Sequence, residues 1–345
     1  MSAPSWGLTV PGTGRLESLP YELKASLAAL RVRATFDRGL LPGVRLGLRE
    51  LDGVASTTRI RSDALLGSRR GIGQSPPVEQ FFQADSWAGW LGIGARNAAS
   101  DGVIYLLLAG TGWVLGYLLF RRAWARRKII AAYPGRADID REVRLSLLTL
   151  VVYGIVGATT FWAAGHGGTH LYWGIGDHGA GWFWASIALT IVLHDTWFYW
   201  THRMMHHPAL FRWFHRAHHR SHNPSPWAAY AFGPLEAMMQ AMIFPLAVGL
   251  YPMHLAAFGL FMLWQLTFNV IGHTGYEIYP RRMMDSWLGK VINTPTHHVM
   301  HHETSRGNYG LYFNVWDRLM GTNHDRYEER FRAVTHPDRP RDAVG

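Results

Sequence analysis

The chain has 345 residues, no cysteine, 34 Lys and Arg against 24 Asp and Glu, and a formal charge of +10. The missing cysteine excludes disulfides, thiolate metal sites and a cysteine nucleophile. A basic excess admits nucleic acid or anionic lipid as partner; here the basic residues cluster beside long apolar runs, which favours lipid and sets nucleic acid aside. Many of the 16 Trp sit near the ends of those runs, as in the aromatic belt of a membrane interface.

Residues 1–100 form a polar N-terminal extension with 12 Lys and Arg against 8 Asp and Glu. It lacks a signal-peptide core at its start and carries no His-Pro-Gly-Gly haem signature. A short amphipathic helix is expected at 21–32, a linker at 67–77 and a surface-lying apolar stretch at 87–93. The extension as a whole reads as disordered or loosely packed. A membrane-embedded domain is expected over 101–330, with a disordered C-terminal tail over 331–345.

Residues 103–120 and 145–164 are apolar runs of spanning length. The loop between them, 121–144, holds eight Lys and Arg against three Asp and Glu, which places it in the cytoplasm. Residues 165–181 carry no Lys or Arg and belong on the other side. A third run, 182–200, ends in the aromatic WFYW at 197–200. Runs 228–249 and 253–272, broken at Tyr251-Pro252, read as a second hairpin. The expectation is an all-α integral membrane protein with about four to five transmembrane helices and a cytosolic, helical, histidine-rich metal domain. Glu236 falls inside the second hairpin, where a carboxylate is costly and marks a functional candidate; one role open to it is bonding a ligand histidine.

Three histidine patterns stand at the ends of these runs. His202 and His206 form H-x3-H; His215, His218 and His219 form H-x2-H-H, as do His298, His301 and His302. Residues three and four apart share a helix face, so each pattern aims imidazoles at one point. Neutral imidazole is a standard ligand for iron, zinc and copper. Eight such histidines exceed what one ion takes and point to two metals. Zinc favours four ligands, and hydrolytic two-metal sites use bridging carboxylates that these patterns lack. Iron, with open positions for O2, suits them better. Asp195 lies two turns before His202 and is a candidate to orient a ligand imidazole from behind. Tyr199, Trp200, Trp227 and Phe313 are candidates to line a lipid channel.

These boxes resemble those of the fatty acid hydroxylase and sterol desaturase superfamily. The flanking words agree: Asp195-x2-Phe198-Tyr199, Gly272-His273-x-Gly275, Asn308-Tyr309-Gly310, Trp316-Asp317-Arg318 and Gly321-Thr322. The resemblance spans about residues 182–325. It implies a membrane-bound di-iron oxygenase that hydroxylates or desaturates a lipid such as a sterol, fatty acyl lipid or carotenoid, with two iron ions as cofactor and O2 as co-substrate. It adds His273 as a ninth ligand and marks Asn308 as a catalytic-site residue. Family members often carry a further histidine four residues before His273; here that position is Asn269, so His207, His222 or His297 stand as substitutes. No flavin, nicotinamide or haem motif is visible, which implies an external donor, cytochrome b5 or a ferredoxin with its reductase. The implied location is a bacterial inner membrane or the endoplasmic reticulum, with the boxes facing the cytoplasm. The rival readings are a sterol-ring desaturase of the same family and a non-catalytic metal-binding protein or transporter. The last is disfavoured because transporters place ligands near mid-bilayer, and these boxes sit outside the apolar runs.

Overall fold

The computed structural model describes residues 86–338. The helix expected at 21–32, the linker at 67–77 and the end of the C-terminal tail lie outside them. Ser86 opens the first helix, α1 (Trp87–Trp113), by accepting the Gly89 N–H on its Oγ. A π-helical turn, Val114–Leu119, continues it. The surface stretch expected at 87–93 and the boundary expected at residue 100 both fall inside α1. Arg96, Asn97, Ser100 and Asp101 make this segment look like a polar extension. Packing overrides that polarity: Gly94 meets Gly154 of α2 (Arg136–Gly165) so closely that a Cβ on Gly154 would lie 2.5 Å from the Gly94 carbonyl oxygen. Small residues allow such backbone approach between apolar helices.

After α2, a two-residue strand β1 (Leu171–Tyr172) precedes α3 (Ile175–Met205). Short helices α4 (Pro208–Phe214) and α5 (Arg216–His219) follow. The run expected as one span at 228–249 is instead a 3-10 turn, Pro226–Tyr230, then α6 (Pro234–Ala241) and α7 (Ile243–Leu250). Pro226, Pro234 and Pro245 account for the breaks, since proline supplies no backbone N–H. Strand β2 (Met253–His254) pairs in parallel with β1, Leu171 opposite Met253. It leads into α8 (Leu255–His273), then α9 (Trp287–Val291), α10 (Pro295–Thr304), α11 (Val315–Leu319) and α12 (Tyr327–Val334).

Among the described residues, three helices are long and apolar enough to cross a membrane: Trp87–Leu119, Arg136–Gly165 and Leu255–His273. About four to five spans were expected. The difference lies in α3, which carries His194, Asp195, His202 and Arg203 in its second half, and in the proline-broken α6–α7 pair. Leu106, Leu107, Leu118, Val151 and Trp184 point outward and are each more than half exposed. An outer surface of this kind fits lipid.

The two ends of the bundle differ. β1 and β2 tie together one end. At the other, the 125–130 segment runs along the stretch after α8: Ile129 N–H donates to Gly275 O and Glu277 N–H to Arg127 O. Helix α12 belongs to this second end. Tyr327, Phe331 and Val334, spaced four and three apart, are buried; Tyr327 and Phe331 pack with Met300 of α10, and Val334 with its Val299. The disorder expected from 331 does not hold for the described residues 331–334, because an apolar stripe on a charged helix anchors the chain to α10.

Candidate metal centre

All nine histidines read as ligands in the sequence meet at this second end. They form two groups. His202, His206, His215, His219 and His301 make one; His218, His273, His298 and His302 make the other. Within each group the candidate nitrogens lie within 4.8 Å of one another. Adjacent residues on a helix point about 100° apart, so His218 and His219 serve different groups. So do His301 and His302. His298 and His302, one turn apart on α10, share a group.

Local structure sets each ring. His202 and His206 close α3, one turn apart. His215 ends α4, and the single turn of α5 carries His218 and His219. Thr294 caps α10 through the His297 N–H, and Pro295 begins its first turn. His273 is the last residue of α8.

The rings are aimed from behind mainly by backbone carbonyls. His202 Nδ1 donates to Tyr309 O (2.8 Å), His301 Nδ1 to Gly307 O (2.7 Å) and His273 Nδ1 to Asn269 O (2.7 Å). His218 Nδ1 faces Ala231 O at 3.4 Å, and Ser305 Oγ pairs with His219 Nδ1 at 3.0 Å. His215 faces a carboxylate: its Nδ1 donates to the buried Glu236 Oε1 at 2.6 Å.

This arrangement tests whether the residues fit a metal. A carbonyl only accepts, so the Nδ1 that faces it carries the proton and the neutral ring's Nε2 is a bare lone pair. Each of these bare atoms in the first group faces a further imidazole: His202 Nε2 lies 2.9 Å from His215 Nε2, and His301 Nε2 lies 2.9 Å from His219 Nε2 and 3.1 Å from His206 Nε2. In the second group His273 and His298 stand at 3.0 Å, and His302 lies 3.2 Å from each. A second proton on these rings does not relieve the crowding. Burial, and next the imidazole of His273, hold His298 well below the usual histidine range; burial and then His202 do so for His301, and burial and then His218 for His302. Converging bare nitrogens in a buried site satisfy one another through a shared cation. The donor set fits two metal ions, one per group.

The remaining candidates fall differently. His206, and not His207, completes the first box; His207 Nδ1 instead accepts the Ala209 N–H at the start of α4. His222 and His297 join neither group. His297 Nε2 lies 3.5 Å from Asp317 Oδ2. Asp195 does not orient a ligand imidazole: its Oδ1 accepts the N–H groups of Tyr312 and Phe313 (3.0 and 3.1 Å). Asn308 has no free amide atom for catalysis. Its Nδ2 donates to His297 O and its Oδ1 accepts the His324 N–H, while its backbone takes a φ of 53°. Both residues hold the 305–317 strap that supplies the carbonyls behind His202 and His301. Asp317 is a hub that the sequence reading did not single out. It accepts the N–H groups of Tyr309 and Gly310 and the Thr322 hydroxyl. Its signal was present in the Asn308-Tyr309-Gly310 and Trp316-Asp317-Arg318 words.

A largely apolar cavity of about 290 Å³ opens between the long helices below the groups. Phe198 and Phe232 belong to its wall. Their rings lie 5.0 Å from the His202 ring and 5.1 Å from the His218 ring. The channel residues expected from sequence are not in its lining. Tyr199 stacks on Trp316, Trp200 meets Trp316 edge-on, Trp227 packs against Tyr105, and Phe313 packs against Tyr312.

Residues 187–322, which hold all nine histidines, match the fatty acid hydroxylase family model. The chain is 33% identical over 188 residues to a Delta(7)-sterol 5(6)-desaturase of Gibberella zeae, covering 54% of this chain and 56% of the relative. It is 30% identical over 201 residues to a Delta(7)-sterol 5(6)-desaturase of Aspergillus fumigatus, covering 54% and 63%. Lathosterol oxidase of Mus musculus is 30% identical over 188 residues, covering 54% and 61%. Residues 187–322 thus carry a fatty acid hydroxylase domain, the superfamily that the histidine boxes resemble. The chain's match spans about 56–63% of the length of these relatives. No solved structure matches the chain.

Proposed function

We propose that this protein is a membrane-bound non-haem di-iron oxygenase that hydroxylates or desaturates a C–H bond of a lipid with O2. The observation that carries the reading is the placement of two buried histidine groups beside an apolar cavity whose wall residues Phe198 and Phe232 pack against His202 and His218. Iron bound in both groups would supply the activated oxygen that removes hydrogen from an unactivated C–H bond. The chain's own residues do the rest. The nine histidines His202, His206, His215, His218, His219, His273, His298, His301 and His302 hold the ions. Glu236 fixes the His215 ring, and the 305–317 strap fixes His202 and His301. Phe198 and Phe232 exclude water beside the reacting carbon and steer the lipid toward the centre.

The boxes are placed on the cytoplasmic side. Support comes from the basic 121–144 loop, which packs beside the stretch after α8 at the same end of the bundle as the histidines. The protein is thus a multi-pass protein of a bacterial inner membrane or the endoplasmic reticulum. Two electrons must come from outside, from cytochrome b5 or a ferredoxin with its reductase. Arg203, Arg212, Arg216 and Arg220, near the second box, offer a basic surface to an acidic donor.

A second reading, desaturation of a sterol ring, is favoured by the relatives, which are named as sterol desaturases and lathosterol oxidases. One assay tests both. Iron-loaded full-length protein with a chemical reductant and membrane lipids is expected to consume O2 in step with a lipid product. A gain of one oxygen atom marks hydroxylation, and a loss of two hydrogens marks desaturation. Equal conversion without O2 overturns the oxygenase reading.

A further inference from the structure

The two histidine groups are closed to different degrees. All four rings of the second group, His218, His273, His298 and His302, are buried. Phe232, itself buried, packs against His218 from the cavity wall, and an apolar cavity is no path for a dication. In the first group four rings are buried, but His206 is half-buried. It stands beside two aromatic rings, Phe211 at 5.4 Å and Tyr309 at 5.1 Å between centres. Phe211 also faces His219 at 5.6 Å and His215 at 6.3 Å, and Tyr309 faces His202 and His301 at 5.6 Å each. The two rings thus neighbour all five ligands, and both are half-buried.

These two covers are held differently. Tyr309 sits on the strap, where its N–H is tied to Asp317. Phe211 sits on α4, where no residue is buried and Trp213 is 61% exposed. Segments with few buried apolar contacts open most readily. Helix α4 also joins two ligands of one group: His206 stands two residues before it and His215 directly after it. An ion in the first group pins both ends of α4. Once the ion leaves, α4 is held by its own few contacts. Resting on the two-metal reading, we propose that α4 is the lid through which the ion of the first group enters and leaves, with Phe211 as its seal. The second group has no such lid among the described residues. The two ions therefore exchange at different rates, and stripping by a chelator passes through a half-loaded state with the remaining ion in the four-histidine group.

The test is zinc release from full-length protein in phosphatidylcholine nanodiscs. Zinc is the probe because it takes imidazole ligands and has no redox chemistry. Exposed Arg212 and Arg216 flank the lid and draw an anionic chelator, so release is followed by stopped flow with excess 4-(2-pyridylazo)resorcinol. The unaltered protein is expected to release two zinc ions in two equal phases, with rates at least roughly tenfold apart. His219→Ala should lose the fast phase and His218→Ala the slow one. Phe211→Ala should speed the fast phase roughly tenfold and leave the slow phase unchanged. If Phe211→Ala does not fold, Phe211→Leu replaces it, with a smaller acceleration of the same phase. One rate for both ions, or a fast phase that survives His219→Ala, overturns the inference. So does a Phe211 substitution that leaves the fast phase unchanged or speeds both phases alike. Fewer than two zinc ions in the unaltered protein sinks the two-metal reading and this one with it, whereas two ions released at one rate sink only this one.

Discussion

His218 and His219 are neighbours in the chain, yet their rings enter different groups. Single substitutions should therefore have different effects. His218→Ala removes one of four nitrogens from its group, and His219→Ala one of five from the other. Both variants are expected to insert in the membrane, to lose turnover and to retain about half of the wild-type metal, as read by elemental analysis of the purified protein. Full metal content with normal turnover in either would remove that residue from the ligand set. Glu236 acts one step behind. Glu236→Ala leaves His215 Nδ1 without its acceptor, and metal affinity should fall roughly 10- to 100-fold. Titration with a competing chelator measures this. The box histidines were legible in the sequence because helix spacing alone puts them on shared faces. The carbonyls that aim them were not, because every residue has a carbonyl and only the folded path of 305–310 brings those of Gly307 and Tyr309 behind the rings.

Among the elements, the strap is the part most exposed to single changes. Asp195 reaches from α3 to the N–H groups of Tyr312 and Phe313, and is 3% exposed. Asp195→Ala strands two buried donors and should cost roughly 3 kcal/mol. A lower melting temperature together with weaker metal retention is expected. If metal retention were unchanged, the strap would not support the centre. The helix α12 shows the opposite kind of surprise. Its sequence, YEERFRAV, is charged enough to pass for a tail. Tyr327, Phe331 and Val334 fall on one face only when the segment is helical, and they find their partners, Met300 and Val299, on the helix that carries the third box. The first boundary misled for the same reason. The polar residues of α1 between 96 and 101 look like the end of an extension until α2 and the cavity supply their neighbours.

For the molecule as a whole, metal and fold should be coupled. The rings of His298, His301 and His302 are held neutral in the folded state by burial and neighbouring imidazoles, whereas in the unfolded chain they titrate near roughly 6.5. Below that pH the unfolded chain binds more protons than the folded one. The metal-free protein should thus keep its stability above about pH 6.5 and lose it as the pH falls. Iron should counter the loss, since an ion held only by the folded state adds about 1.4 kcal/mol for each tenfold excess over its dissociation constant. Melting curves of chelated and reloaded protein between about pH 7.5 and 5 check both signs. A flat profile for the chelated protein would contradict the buried, neutral state of these rings.

By itself the sequence determined the resemblance to the family, the helical class and the nine histidines proposed as ligands. These follow from local rules: apolar runs of spanning length, histidines three and four apart, and short words around them. Tertiary structure alone decided which histidines pair into which group, and that Asp195 and Asn308 hold a strap and do not face the metal nitrogens. It also decided that the cavity runs along α8 and not past Tyr199 and Trp227. Those outcomes depend on contacts between residues about 80 to 120 positions apart, such as His219 with His301 and Asp195 with Tyr312, and spacing along the chain carries no record of them.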